Sequence, residues 1–541
     1  MEYIIGIDVG TTSVRGALVD KIGNIVEIAV ESITTWNPEP DFYEQSSNQI
    51  WQSCCRVMKK IISRVSPASI KGIGFDATCS LAVFDIKGKP VSVNKKDIDD
   101  QNIILWMDHR AKKEADDINQ TKHQILKYVG GHVSLEMVIP KVLWLKRNHS
   151  RCWKKAHHYF LLNDFLTWKC TGEEYRSLCS VVCKFNYEAL PTGSSGWNKE
   201  FFEIIDLIEL SEDNWKKIGS NVINPGTLCG KLTLQAAEEF GLLPGTPVAA
   251  SLIDAHAGSL GVVGCIAENI SPQFHKRLAL ICGTSTCHMW QTPYPVYVPG
   301  VWGPYYNAMI PKMWLLEGGQ SASGKLIDHI IDTHPATSSI KNNLQNQHIS
   351  NYLNSLLRKL AEKKQISLDE LSNEVHVWPD FHGNRSPLAD PTFRGMILGL
   401  TLAKDEENLA VLYLAVIQAL AYGTRHILQE IERKAGKKSI ESIIICGGLC
   451  RNDLFVQTHA NAMGLPVLIP EQSESILLGA AILGASVAKF YSNIEEAVLH
   501  MAGPAKIIKP NLAVTNYHAK KYAVFMEMLN FQNKIKQTMN F

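Results

Sequence analysis

Strand-like and helix-like segments alternate along the whole chain, and this predicts an α/β protein of two or more large domains. A length of 541 residues supports it, because one hydrophobic core does not grow that large. A third observation sets the organisation. An apolar strand running into a glycine–hydroxyl turn occurs twice, at Ile4–Ser13 and at Leu278–Thr286, once near the start of each half.

The first of these elements is Ile4-Ile5-Gly6-Ile7-Asp8-Val9, a buried strand by its apolar run. It enters Gly10-Thr11-Thr12-Ser13, and a second apolar stretch, Val14 to Val19, completes a hairpin. A turn that presents backbone N–H groups and hydroxyls suits an anion, phosphate above all. Asp8 stands where it can face a metal ion beside that phosphate. The plain alternative is a hairpin with a polar turn. Further on, Ile70–Asp85 reads as a strand interrupted by the polar Asp76-Ala77-Thr78-Cys79-Ser80, the wall of a site or a strand bend. Val248–Ile253 is another apolar strand. It is closed by Asp254, and Ala255 to Gly261 then open a helix of small residues.

Ile266–Lys276 breaks the pattern and is the expected linker. Leu278–Cys282 and Gly283-Thr284-Ser285-Thr286 repeat the opening strand and turn, which points to two related domains clasping a polyphosphate between them. The segment 338–374, rich in Asn, Gln and Lys, reads as a surface helical insertion. His382–Pro391 is a loop dense in Pro, Arg and Asp. Val411–Arg433 has helical periodicity. It leads to the strand Ser442–Cys446, which ends at Gly447-Gly448 before a helix near Asn452. That glycine pair and first-turn amide suit a purine and its ribose, although such pairs are also ordinary punctuation.

Composition narrows the function classes. A net charge of +1, from 54 basic and 53 acidic residues, removes any general electrostatic case for nucleic acid or a membrane surface. Met1-Glu2-Tyr3 is expected to enter a strand with no leader before it, and no apolar run is expected to be long enough to span a bilayer. The 13 cysteines form no C-x-x-C pair and no zinc-like spacing, so buried thiols in a reducing, cytoplasmic compartment are expected.

Phosphoryl transfer needs donors on the phosphates, a cation to hold them, and a group that prepares the acceptor. Neither a G-x-x-x-x-G-K-[ST] loop nor the protein-kinase set is present. Asp254 is the candidate base, since an acid closing an apolar strand among small residues leaves room for close approach. As an isolated residue it would read as a helix cap, but it lies between the two hydroxyl turns.

Taken together, these residues resemble the FGGY carbohydrate kinases of the actin-like ATPase superfamily, from Ile4 to about Ala485. Ile7-Asp8-x-Gly10-Thr11-Thr12-Ser13-x-Arg15 is similar to the family's first phosphate motif, and Gly283-Thr284-Ser285 to its second. Gly383-x-Arg385-Ser386-Pro387-x-x-Asp390-Pro391 through Gly399-Leu400 resembles the C-terminal signature. Gly447-Gly448 with Asn452 resembles the adenosine motif, and Asp254 falls on the catalytic base. The resemblance implies two RNase-H-like domains, 1–265 and 266–541, with ATP, Mg2+ and a polyol or ketose between them. Gly10, Thr11, Thr12, Ser13, Arg15, Gly283, Thr284, Ser285, Gly447, Gly448 and Asn452 would hold the nucleotide. Asp8, through water, and Asp254 would serve the metal. A small-molecule sugar is the implied partner, with no nucleic acid and no membrane, and a homodimer is compatible with it.

By the same resemblance the sugar wall would comprise Thr78, Cys79, Trp106, Asp108, Lys141, Asp254 and Glu317. Trp106 would offer an apolar face and Asp108 a hydroxyl acceptor. The plain alternatives are a core tryptophan and a solvated lysine on an amphipathic helix. Many family members carry a small hydroxyl residue or Pro three positions before that lysine, where this chain has Val138. The D-x-T-C-S, W-x-D-H-R and P-K-x-x-W-L patterns look most like the ribulokinase branch, with D-ribulose preferred. L-ribulose, ribitol, xylulose and glycerol are the alternatives, and a non-catalytic actin-like nucleotide-binding protein is the alternative of another class.

Overall fold

The computed structural model describes residues 1–344 and 347–539. In the N-terminal half, β1 (Tyr3–Val9), β2 (Ser13–Asp20) and β3 (Ile25–Ser32) form an antiparallel meander. Strand β4 (Ile70–Ala77) runs parallel to β1 on its other side. The antiparallel strands β5 (Leu228–Lys231) and β6 (Pro247–Ala249), joined through a helix at Leu234–Phe240, extend this sheet, whose order is β5-β6-β4-β1-β2-β3. The short β7 (Leu252–Ile253) also pairs with β4.

The C-terminal half repeats the plan. Strands β8 (Arg277–Cys282), β9 (Thr286–Thr292), β10 (Trp302–Tyr306) and β11 (Trp314–Gln320) are joined by β12 (Ser442–Cys446), β13 (Val467–Pro470) and β14 (Ala505–Ile508). Their order is β10-β11-β9-β8-β12-β13-β14, with β8, β12 and β13 parallel. Each half thus has a run of antiparallel strands, β1-β2-β3 in the first and β8-β9-β11-β10 in the second, whose first strand has a parallel neighbour on its other side.

Alternation along the central strands sets what faces the middle of the molecule. In β1, Ile5, Ile7 and Val9 fill an outer core, so Ile4, Gly6 and Asp8 take the opposite face. In β4, Ile73, Phe75 and Ala77 join that outer core, leaving Gly72, Gly74 and Asp76 on the same face as Asp8. The expected interrupted strand Ile70–Asp85 is two strands. After β4 the chain crosses through Thr78-Cys79-Ser80 to Leu81–Phe84 in a separate four-stranded sheet. The polar residues are that crossing.

Three helices of the N-terminal half bear on the site: α1 (Val138–Asn148), α2 (Leu178–Lys184) and α3 (Asp254–Val263). The C-terminal half contributes α4 (Gly324–Thr333), α5 (Ile349–Lys364), α6 (Glu406–Ala435), α7 (Asp453–Met463), α8 (Ser475–Val487) and α9 (Thr515–Met539). The 338–374 segment is helical as expected, apart from positions 345 and 346, which lie outside the described residues. It is not wholly a surface feature, because Leu353, Leu357 and Leu360 of α5 are buried in the core that includes α6. Helix α6 corrects a second expectation: by length and a mean hydropathy of 1.3 it could cross a bilayer, yet 83% of that window is buried inside the protein. It is a core helix.

Helix α8 packs on the sheet of the N-terminal half and on α3, and α3 packs on strands of both sheets. Glycines make this possible. A Cβ added at Gly74 would fall 1.9 Å from the Ala480 carbonyl oxygen of α8, and one at Gly479 would fall 1.9 Å from that of Ala257 in α3. The helix backbones therefore rest on the β4 backbone and on each other with no side chain between.

Candidate active site

Three strand ends converge on one set of carboxylates. Asp8 of β1 pairs in register with Asp76 of β4, which in turn pairs with Leu252 of β7, two residues before Asp254. Asp254 is the first residue of α3 and its Oδ1 accepts from the Ala255 N–H at 2.7 Å. It sits within the first turn, where the helix dipole favours a negative charge. Burial, followed by the repulsion of Asp8, nevertheless lifts its carboxyl to about 7, against the pull of the Ala255 N–H and Lys184. That range suits a base working near neutrality.

Asp8 presents two distinct oxygens. Its Oδ2 accepts from Arg15 Nε at 2.8 Å, while Oδ1 is buried with no partner. Arg15, expected among the phosphate ligands, also binds Glu474 at 2.8 Å, so its guanidinium ties the first hairpin to the start of α8. Asp76, which the sequence places only in the site wall, is completely buried with neither oxygen partnered. Burial together with Asp8 and Asp254 pushes its carboxyl well up.

Each of the two hydroxyl turns is closed by its glycine N–H. The Gly10 N–H donates to the Ser13 carbonyl at 2.9 Å, and the Gly283 N–H to the Ser285 carbonyl at 2.8 Å. Thr12, Gly283 and Thr284 are exposed, while Gly10, Thr11, Ser13 and Ser285 are half-buried. The second turn also accepts at its Thr284 carbonyl from the Ser323 and Lys325 N–H groups, which anchors it on the start of α4. Gly447, at φ +86°, lies at the end of β12 with space for no Cβ, since one would fall 2.5 Å from the Cys282 carbonyl oxygen. Gly448 beside it borders open space. Asn452 caps α7, accepting from the Phe455 N–H at 3.3 Å and from Asn354 at 3.0 Å, and donating to the Tyr413 hydroxyl at 2.7 Å. Its side chain is engaged within the protein, and Asn354 comes from the 338–374 segment.

On the acceptor side, Trp106 bridges to the first phosphate turn through Nε1, which donates to Thr11 Oγ1 at 3.1 Å. It is half-buried, not a sealed core residue. Lys141 of α1 is fully buried and donates to the Leu105 and Trp106 carbonyls at 2.7 and 3.0 Å. The solvated-lysine alternative therefore fails, and burial brings its ammonium down to about 8. Asp108 accepts from Arg110 and, at 2.7 Å, from the Tyr43 N–H. Lys141 and Asp108 thus hold the Trp106 loop from both sides. Thr78 shares a 2.9 Å hydrogen bond with Ser80, and burial pushes the neighbouring Cys79 thiol up to about 11.

Glu317 of β11 is buried, with Oε1 accepting from Arg385 at 2.6 Å. Burial alone would raise its carboxyl, but Lys184, Arg385 and His256 hold it below the usual range. Lys184, at the end of α2, is a site residue that sequence reasoning misses. It is buried, 4.3 Å from the Trp302 ring centroid, and interacts electrostatically with Cys79, Glu317 and Glu136. Its only sequence signal is a lysine ending the otherwise apolar or small Leu178–Cys183.

Paired hydroxyl turns, a tuned carboxylate between them and a charged wall on the acceptor side define a class of two-domain phosphotransferase. The chain belongs to the FGGY family of carbohydrate kinases: the family's N-terminal domain matches residues 3–261 and its C-terminal domain residues 278–488. It is a carbohydrate kinase, and that family takes ATP as phosphoryl donor. It is 50% identical to an FGGY carbohydrate kinase domain-containing protein of Xenopus laevis, over 99% of this chain and 98% of that one. It is 38% identical to a D-ribulokinase of Saccharomyces cerevisiae, over 92% of this chain and 73% of the relative. Its fold matches that of a ligand-bound xylulose kinase from Lactobacillus acidophilus at a TM-score of 0.80, 18% identity and 98% coverage of both chains.

Proposed function

We propose that this kinase phosphorylates D-ribulose, giving D-ribulose 5-phosphate and ADP, with Asp254 as general base. The observation that carries the reaction is Asp254 itself, held near neutrality between Asp8 on the phosphate side and Lys184 and Glu317 on the acceptor side. Its carboxylate takes the proton of the acceptor hydroxyl as that oxygen attacks phosphorus, a positioned base being worth ~10²–10⁴ in rate. The exposed amides and hydroxyls after Gly10 and Gly283 bind the phosphates, and Gly447-Gly448 admits the adenosine. Trp106 packs on the sugar, while Lys184 and Glu317 hydrogen-bond its hydroxyls.

The unpartnered Asp8 Oδ1 beside Asp76 and Asp254 fits a hard cation, so Asp8, with Asp254, would hold Mg2+. When bound, Mg2+ neutralises phosphate charge. Arg15, Asp108, Lys141 and Asn452 act as positioning residues, because each is bonded within the protein. We divide the chain functionally at 265/266, with sugar, first phosphate turn and base before it and nucleotide after it.

The preference for D-ribulose rests on the 38% identity to the yeast D-ribulokinase and on the residue patterns around Thr78, Trp106 and Lys141. The 13 free thiols favour a reducing, cytoplasmic compartment. ADP production measured across D-ribulose, L-ribulose, ribitol, D-xylulose and glycerol tests the assignment. The highest kcat/KM belongs to D-ribulose; a higher value for any other acceptor reassigns the substrate.

A further inference from the structure

Behind the acceptor wall lies a cluster that the phosphoryl-transfer reading leaves unused. Cys179 and Cys183 are four residues apart on α2, so both thiols project from one helix face. They meet His256 of α3, and all three residues are buried. The three ligating atoms lie within 4.8 Å of one another, with Cys183 Sγ 3.4 Å from His256 Nε2. Sulfur and nitrogen donors around a tetrahedral Zn2+ stand roughly 3.5 Å apart, from bond lengths of about 2.3 and 2.0 Å. Glu317 Oε2 is 3.8 Å from the same His256 nitrogen. That oxygen is buried and has no hydrogen-bond partner, and neither has His256 Nδ1.

Two packed thiols alone would be small hydrophobic side chains. Here they share a buried pocket with an imidazole and a free carboxylate oxygen, which is the donor set of a closed zinc site. We propose that Cys179, Cys183 and His256 bind a thiophilic divalent cation of the Zn2+ type, with Glu317 Oε2 as fourth donor, and that its binding withdraws Glu317 from the sugar. Each thiol releases one proton to solvent as its sulfur–metal bond forms, and no electron is transferred. Sulfur donors set this site apart from the oxygen donors of Asp8, Asp76 and Asp254, which suit Mg2+. The metal site stands on its own geometry; the competition with sugar rests on the placement of Glu317 in the acceptor wall.

Co2+ serves as the spectroscopic probe on the full-length chain. One equivalent is expected to give a thiolate-to-metal charge-transfer band, displaced by Zn2+ and absent from the Cys179→Ser/Cys183→Ser protein. The Cys179→Ala/Cys183→Ala protein is a second background should the serine pair unfold. No such band, or an equal band in a folded double variant, overturns the site. In the kinase assay at saturating ATP and Mg2+, Zn2+ should raise the sugar KM at least tenfold in the wild type and leave the double variant unaffected. Equal inhibition of both, or none of the wild type, overturns the competition with sugar. The Co2+ result is read without turnover, so failure of the sugar assignment leaves it intact.

Discussion

Asp254→Asn gives the sharpest view of the active site, because the substitution keeps the shape and removes the ionisation. Lifting the Asp254 carboxyl from the ordinary aspartate value to about 7 means that the surroundings disfavour its charged form by about 4 kcal/mol. In the wild type, kcat/KM should therefore fall on the acid side as this carboxyl is protonated, below pH 7 once Mg2+ is held beside it. Asn at this position cannot accept the proton, and kcat should drop by ~10²–10⁴, which is about 3–5 kcal/mol of barrier. The acid limb should vanish with it. Initial rates from pH 5 to 9 measure both effects, and calorimetric titration with sugar and a non-hydrolysable ATP analogue checks that binding survives. A variant that keeps near-normal kcat, or retains the acid limb, refutes Asp254 as the base.

Three further outcomes follow from the same geometry. Asp76 has its carboxyl raised in the folded protein, so the native state binds more protons than the unfolded one and loses stability as pH rises above the ordinary aspartate range. In metal-free buffer, the gain in melting temperature of Asp76→Asn over wild type should grow from pH 4 to pH 8; a constant difference denies the shift. Gly479→Ala places a methyl carbon 1.9 Å from the Ala257 carbonyl oxygen and should cost at least the 1–3 kcal/mol typical of overpacking, read as a lower urea midpoint. An unchanged midpoint would contradict the helix contact. Asn452→Ala removes a cap and strands the Tyr413 and Asn354 partners, for a loss of about 1–3 kcal/mol, with KM for ATP changed only a few-fold. A large rise in that KM at unchanged stability would restore Asn452 as a direct nucleotide ligand.

The parts of the site legible in the sequence are those written locally. Ile4–Ser13 and Leu278–Thr286 show a strand and its turn in consecutive residues, and Asp254 shows an acid at a strand-to-helix junction. Even the parity that puts Asp8 and Asp76 on one face is present in the two strands, though their register is not. What stays hidden depends on partners far apart in the chain. Lys141 can be read as solvent-facing because the carbonyls it binds belong to Leu105 and Trp106. Asn452 shows no local sign of Asn354 and Tyr413, the partners that folding brings to its side chain. Lys184 gives no local sign of its proximity to Glu317. Helix α6 is legible as a helix, but composition cannot distinguish a protein core from a bilayer as its surroundings.

The crossing of α3 and α8 bears on how this gene could be divided. The proposed 265/266 boundary lies between the two family-matched segments, 3–261 and 278–488, and a cut there would look natural. Yet the N-terminal fragment would lose α8 and expose a glycine-floored groove over Gly6, Gly72 and Gly74. The C-terminal fragment would carry α8 with Leu477, Leu478, Ala481 and Ile482 stripped of their cover. Such fragments would be obligate complements, each soluble in the presence of the other, and a nucleotide half able to stand alone would have to bring α3 along as a passenger.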